Sequence, residues 1–524
     1  MEEIRLGEVA ELRLEAERTY DNPPAEQRVI VPWRGPDDRR HEVDAFWDGD
    51  RTWRARLSPD AEGEWRFETR CLGPDDGGLG GRDGTLRCVP SSSDLDLVRH
   101  GPVGVAAGGR HLEHADGTPF LWLADTAWNG VLKARPEDWE RYLRRRREQG
   151  FTAVQFVLTH WRAFAEDACG ERAFTVEDGK ALINPAFYQR LDDKVAAVNR
   201  AGLLAVPVLL WAIRASGDLN PGYSLSEEDA VLVARYLVAR YGAHQVAWIL
   251  GGDGDYRGAG AERWRRIGRA VFGDRHDWPV TMHPAGVQWV GDEFRGEPWF
   301  DFVGYQSGHG DSEEHLRWLT VGPPARDWDT GPAYPVINLE PNYEGHVSYH
   351  SRRPFTDREV RRALYWSLLV SPTAGVTYGH HGIWPWMEEA GVPMDHSSSG
   401  EAPPWHVALE SPGATSVLHL RRLLDELPWW RLRPAPELLA EQPGEAQPEA
   451  FVAVSATAER DLVLAYLPLG GQVRLRTGGL TGKRRVRWYD PAAGVWQDGG
   501  TLAPSAESEA LDCPGEGDRV VVLD

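Results

Sequence analysis

Trp248-Ile249-Leu250-Gly251-Gly252-Asp253 and Val336-Ile337-Asn338-Leu339-Glu340-Pro341-Asn342-Tyr343-Glu344 are the stretches that decide how this chain is read. Each is an apolar run of buried-strand type that ends abruptly in a carboxylate. In a (β/α)₈ barrel the catalytic side chains project from the C-terminal ends of the strands, where the βα loops build the substrate site. Two carboxylates on different strands of one barrel are the minimal equipment for hydrolysing a glycosidic bond. Two glycines before Asp253 let the backbone bend and a ligand come close. Pro341 stops the strand after Glu340. Either carboxylate alone could be a turn residue, an N-cap or a rim ion pair, so the pair carries the argument.

Working outward, residues from about 100 to 427 alternate strands with helices, which implies a parallel sheet. The expected strands are Phe120-Leu121-Trp122-Leu123-Ala124, Ala153 to Val157, Leu204 to Leu209, the run to Asp253, Pro279 to Met282, Asp301 to Tyr305, the run to Glu340, and Gly375 to Tyr378. Pro136 suits a first helical position. Ser226 with Asp229, and Thr356 with Glu359, read as helix caps. Eight βα units in roughly 330 residues is the count of a barrel. A doubly wound sheet competes, but no Gly-rich phosphate turn follows the first strand.

The flanks read differently. Residues 1–97 alternate apolar and polar positions, as in Thr52-Trp53-Arg54-Ala55-Arg56-Leu57, and the Gly- and Asp-rich stretch from Leu72 to Gly84 reads as a flexible hairpin. After Leu427, Phe451 to Val454, Leu462 to Tyr466 and Val486 to Tyr489 return to strand patterning. The expected organisation is an N-terminal β-sandwich over 1–97, a TIM barrel over 98–427, and a C-terminal β-sandwich over 428–524.

The 524 residues exceed what one core holds. A formal charge of −22 argues against nucleic acid and anionic membrane surfaces as partners. Four cysteines, Cys71, Cys88, Cys169 and Cys513, show no metal-type spacing, and free thiols are expected over a Cys71–Cys88 bridge. The start lacks a basic and then apolar leader, and no run could span a bilayer, so the expected location is cytoplasmic. No cofactor or metal is expected.

Polar and aromatic residues gather at the strand ends. Asp125 and Trp128 follow the first strand, His160 and Trp161 the second, and Trp211 the third. His283 follows the fifth, Gln306 and His309 the sixth, and His380, His381 and Trp384 the eighth. One such histidine is usually a structural residue. Several together point to a polar pocket with a stacking wall.

Trp248 to Asp253, His283-Pro284-Ala285-Gly286, Gln306-Ser307-Gly308-His309, Glu340-Pro341-Asn342-Tyr343-Glu344 and Thr377-Tyr378-Gly379-His380-His381-Gly382-Ile383-Trp384 resemble, in order, the apiosidase-like family of (β/α)₈ glycoside hydrolases. Phe46 to Trp65 resembles the β-sandwich often placed before that barrel. Arg487-Trp488-Tyr489-Asp490-Pro491 resembles a β-sandwich labelled collagen-binding, a label given no functional weight. The resemblance implies Asp253 as general acid/base and Glu340 as nucleophile; should kinetics show Asp253 not to be the acid/base, Asp125 or Glu344 is the next candidate. It departs at Phe302-Val303-Gly304-Tyr305, where a more polar residue is expected before the Gln.

An acid must keep its proton near neutral pH, so Asp253 needs a pKa raised by burial or by Glu340's charge. Glu340 must stay ionised. The expected sugar pocket is lined by Asp125, Trp128, His160, Trp211, His283, Gln306, His309, Glu344, Tyr378 and His380. The activity expected is exo-acting, retaining removal of a terminal sugar, apiose or another pentofuranose or deoxy-sugar, from a small glycoside. Two alternatives stand beside it: a metal-dependent barrel hydrolase using His283, His309, His380 and Asp253, and a non-catalytic sugar-binding protein.

Overall fold

The computed structural model describes residues 2–273, 277–505 and 507–524. Its centre is an eight-stranded parallel barrel: β1 Trp122–Thr126, β2 Ala153–Val157, β3 Leu204–Trp211, β4 Trp248–Gly254, β5 Val280–Pro284, β6 Val303–Tyr305, β7 Val336–Asn338 and β8 Gly375–Gly379. The ladder runs β5-β4-β3-β2-β1-β8-β7-β6. Between β5 and β6 the Thr281 hydroxyl takes over from the ladder. It donates to Phe302 O at 2.6 Å and accepts from Gly304 N–H at 3.0 Å.

All five residues of β1 and of β2 are buried, as expected for strands covered on both faces. The first strand nevertheless differs from its expected bounds. Phe120 pairs with Leu112 in a separate three-stranded sheet, and the barrel strand starts at Trp122. Strand β7 ends at Asn338, so Glu340 lies two residues beyond it, where Leu339 N–H still donates to Tyr305 O at 2.8 Å.

The covering helices include α1 Pro136–Glu148, α2 Pro185–Arg200, α3 Glu227–Tyr241, α4 Ala259–Phe272, α5 Glu313–Thr320, α6 Asp357–Leu369 and α7 Pro412–Asp425. Their starts follow local chemistry. Pro136 and Pro185 open helices where a backbone N–H would have no partner. The Ser226 side chain accepts from Asp229 N–H at 3.1 Å. At α6 the Glu359 carboxyl accepts Thr356 N–H at 2.9 Å, completing a capping box.

Sheets flank the barrel at both ends of the chain. The N-terminal pair combines six strands with three, and the C-terminal pair six with two. The stretch after Leu72 is pinned rather than loose: the Asp76 carboxylate accepts from the N–H groups of Glu17, Arg18 and Gly78 and from the Tyr20 hydroxyl. The four cysteines are free.

Both flanks dock through buried charge. Arg240 on α3 reaches Asp48 of the N-terminal sandwich at 2.9 Å and Asp192 on α2 at 2.7 Å, and Arg56 of the sandwich also reaches Asp192 at 2.7 Å. Arg361 on α6 holds Asp518 with two 2.8 Å hydrogen bonds, and Tyr466 donates to the same carboxylate. Removing one partner of such a buried pair costs about 3–5 kcal/mol. Among the described residues, no helix is long and apolar enough to cross a membrane.

Candidate active site

A cleft of about 430 Å³ opens at the C-terminal face of the barrel and is lined by both carboxyls, Asp253 and Glu340. The two are presented differently. At β4 the pairing with β5 slips twice, between Ile249 and Gly252 and between Gly252 and Gly254, and Asp253 takes a left-handed φ of 50°. Such a bulge re-aims a side chain, and Asp is among the few residue types that tolerate this conformation. Gly252 cannot be larger, because a Cβ there would lie 2.6 Å from the Trp211 ring. The half-buried Asp253 carboxyl receives no hydrogen bond from a side chain among the described residues. Its pKa is pushed up to about 7, first by removal from water and then by the charge of Glu340, against the pull of His283 and Arg162.

Glu340 stands in the opposite surroundings. Gln306 donates through Nε2 to its Oε1 at 3.0 Å, and His309 Nε2 lies 2.9 Å from the same oxygen. Tyr343 N–H donates to His309 Nδ1 at 3.4 Å, so the ring's own proton sits on Nε2 and faces the carboxylate. His283 Nε2 is 3.3 Å from the other oxygen, Oε2. Burial alone would raise Glu340. The imidazoles of His283 and His309 more than offset it and hold the carboxyl well below the usual carboxylate range.

A further layer fixes this strand end. Asn338 accepts from Glu340 N–H at 3.3 Å and donates to the hydroxyls of Ser307 and Ser367 at 2.8 and 3.0 Å. Gln155, from β2, donates to Leu339 O at 3.0 Å.

The same cleft is lined by an aromatic wall. Trp211 meets Trp128 at 5.3 Å and Trp161 at 4.4 Å between ring centroids, and the wall continues through Trp384 to His396, 4.7 Å apart. Flat apolar faces backed by buried hydrogen-bonding groups are what a sugar ring requires, since one face is C–H and its edge is hydroxyl. Gln306 Oε1 and Trp211 Nε1 are buried without a partner and belong to lining residues.

Of the expected pocket residues, Trp128, Trp211, Gln306 and His309 line the cleft with the two carboxyls, and His283 stands behind Glu340. Five are corrected. Asp125 and Tyr378 are register partners on β1 and β8. The alternation of strand side chains that turns Thr126 and Thr377 toward Gln155 turns these two outward, to the helices. There Asp125 accepts from Arg146 and Tyr142, each at 2.6 Å, and Tyr378 donates to Glu344 at 2.6 Å. Glu344 also accepts Gly413 N–H at 3.0 Å, which removes it from the cleft. His380 accepts Gly382 N–H on Nδ1 and bonds the Ser411 hydroxyl through Nε2 at 2.9 Å. His160 is packed on Phe174, 4.5 Å between centroids, away from the lining.

The structure adds Arg162, Tyr343, His346, Tyr349 and His396 to the lining. Tyr343, His346 and Tyr349 come from the segment after β7, and His396 from the one after β8, where no periodicity marks a facing direction. Tyr343 alone carried a signal, sitting inside the stretch that holds Glu340. Among the described residues, no group of three His, Cys, Asp or Glu side chains is arranged to hold a metal ion.

Residues 106–431 match the family model described as "Apiosidase-like, catalytic domain". Residues 7–72 match a domain of unknown function, DUF5060, and residues 434–524 a "Putative collagen-binding domain of a collagenase". No curated protein matches the chain. Among solved structures, one titled glycoside hydrolase shares 22% identity over 82% of this chain and 98% of its own, with a TM-score of 0.70. A family 5 glycoside hydrolase from Bacteroides vulgatus ATCC 8482 shares 22% over 81% and 94%, also at 0.70. A "putative glycoside hydrolase" from the same organism shares 19% over 100% and 99%, at 0.73. At these identities the likeness is one of fold.

Proposed function

Because this chain belongs to the apiosidase-like family of glycoside hydrolases, we propose that it removes a terminal sugar from a small glycoside with retention of configuration, Asp253 serving as acid/base and Glu340 as nucleophile. The observation that carries the reading is the split between the two carboxyls of one cleft: one is raised toward neutrality, the other held ionised. Two carboxyls pushed apart in this way take the two roles of a glycosidase.

In the first step Glu340 attacks the anomeric carbon. The bond to the aglycone oxygen breaks, and that oxygen takes the Asp253 proton. In the second, the Asp253 carboxylate removes a proton from water, which attacks the anomeric carbon and frees Glu340. His283 and His309 keep the nucleophile ionised, and Gln306 helps to aim it. The positive charge that develops on the sugar in each transition state sits beside the Glu340 carboxylate. A cleft of about 430 Å³ is of small-molecule size, which favours a terminal sugar such as apiose, or another pentofuranose or deoxy-sugar, over the interior of a polymer.

The test is chemical rescue. With Glu340→Ala, azide should restore turnover and give a glycosyl azide of inverted configuration. With Asp253→Ala, azide should give the retained one. No azide effect in either variant, or an inverted first-formed anomer from the wild type, would overturn the retaining assignment.

A further inference from the structure

Beyond the sugar-binding floor, the cleft mouth carries apolar surface that hydrolysis of the glycosidic bond does not require. Val287 is 40% exposed and Tyr349 52% exposed, and both line the cleft. Two large apolar side chains left in water within one binding cleft offer contact to an apolar part of a ligand.

Their positions are fixed from the acid and nucleophile ends. Ala285 N–H donates to Gly254 O at 2.9 Å, tying the segment that carries Val287 to the residue after Asp253. Val287 N–H then donates to Gln306 O at 2.8 Å. Tyr349 N–H donates to His309 O at 3.0 Å, and the tyrosine ring stands edge-on to His309 and His346 at 5.8 and 5.6 Å. Both side chains therefore sit on the arc of the rim from β5 to β7, and the Trp384–His396 end of the aromatic wall, from the segment after β8, lines the same cleft.

Val287 holds a φ of 54°, in the left-handed region that a β-branched residue adopts only at a cost. Strain of this kind is found where a site over-determines the backbone. Among the described lining residues Arg162 is the one arginine or lysine, and its Nε lies 3.0 Å from Asp395 Oδ2.

We propose that the mouth of the cleft, lined by Val287, Tyr349, Trp384 and His396, is a subsite for a flat, aromatic aglycone of the phenol class. Aromatic and apolar side chains gathered at one mouth suit a planar ring, whose two faces are apolar. Val287 lies two residues after Ala285, whose N–H is tied to the residue following Asp253, the group that protonates the departing oxygen in the proposed mechanism. The inference rests on the glycosidase reading given above, and the experiment separates the two.

Isothermal calorimetry of the full chain with 4-methylumbelliferone, a planar phenol that is not itself a glycoside, tests the subsite without catalysis. Saturable binding is expected, weakened about tenfold or more in Val287→Asn/Tyr349→Ser, with no binding of free glucose at the same concentrations. Asn tolerates the left-handed backbone, so this variant keeps its fold. In parallel, kcat/KM is compared for one glycone carrying a benzyl alcohol or a hexose as aglycone. The wild type should favour the benzyl glycoside, and the double variant should lose that preference through KM. Absence of phenol binding, binding unchanged in the double variant, or equal losses on both glycosides would overturn the proposal. Failure to cleave any glycoside while the phenol still binds at Val287 and Tyr349 would sustain the subsite and fall on the glycosidase reading instead.

Discussion

The ends of β4 and β7 carry the same functional group and treat it in opposite ways. After β7 the Glu340 carboxylate is given donors: Gln306 and His309 on one oxygen, His283 against the other, with Asn338 holding its backbone. At β4 the strand is bulged, the backbone of Asp253 is left-handed, and no side chain among the described residues donates to its carboxyl. The donors stabilise the ionised form, and their absence in a water-poor setting stabilises the neutral one. In the proposed mechanism the division between nucleophile and acid is therefore made by surroundings and not by residue type. It is also self-reinforcing, since the charge kept on Glu340 is one of the causes that keep the proton on Asp253.

The largest effect that could break this comparison is on Asp253, the proposed acid. Asp253→Asn should lower kcat/KM by about 10²- to 10⁴-fold for glycosides of ordinary alcohols. For nitrophenyl glycosides the first step should be nearly unaffected, because that leaving group departs without a proton. Equal losses on both classes would mean that Asp253 is not the acid. A smaller effect falls on the donors. A hydrogen bond to a charged group is worth about 1.5–3 kcal/mol, so His309→Phe should cost roughly ten- to a hundredfold in kcat/KM. It should also raise the Glu340 pKa and move the acidic limb of the pH profile upward. An unmoved limb would show that His309 does not hold the nucleophile ionised.

The smallest effect is on stability. Asp253 has a folded pKa of about 7 against an ordinary 3.8, so the folded protein keeps this proton longer than the unfolded chain does. The stability linked to that proton is whole below pH 3.8, falls as pH rises, and is lost above about 7. Asp253→Asn, which stays neutral, should melt at the wild-type temperature at pH 4 and above it at pH 8. Melting curves that differ equally at both values would contradict the raised pKa.

Much of this arrangement was legible in the sequence, for physical reasons. Barrel strands buried on both faces read as apolar runs, and a carboxylate that ends such a run stands out, as Asp253 and Glu340 do. Helix caps at Ser226 and Thr356 are local chemistry. The misreadings share a cause too. Asp125 and Tyr378 sit at strand ends, but one step of side-chain alternation separates a residue facing the barrel interior from one facing a helix. The partner that claims Asp125, Arg146, lies 21 residues away on α1. His346, Tyr349 and His396 went unread because they reach the cleft on long segments after β7 and β8, held by backbone contacts such as Tyr349 N–H to His309 O. Such contacts follow from the assembled barrel and leave no local pattern.

The division of labour between the two carboxyls is tested most directly by following their protonation. Carbonyl ¹³C shifts of selectively labelled Asp and Glu, assigned with Asp253→Asn and Glu340→Gln, give each group's titration in the whole protein. Asp253 is expected to titrate near 7, while Glu340 stays ionised down to the acid limit of the folded state. In Glu340→Gln, with the neighbouring charge gone, the Asp253 midpoint should fall. A Glu340 that takes up its proton before Asp253 does, or an Asp253 midpoint indifferent to Glu340, would contradict the assignment of acid and nucleophile.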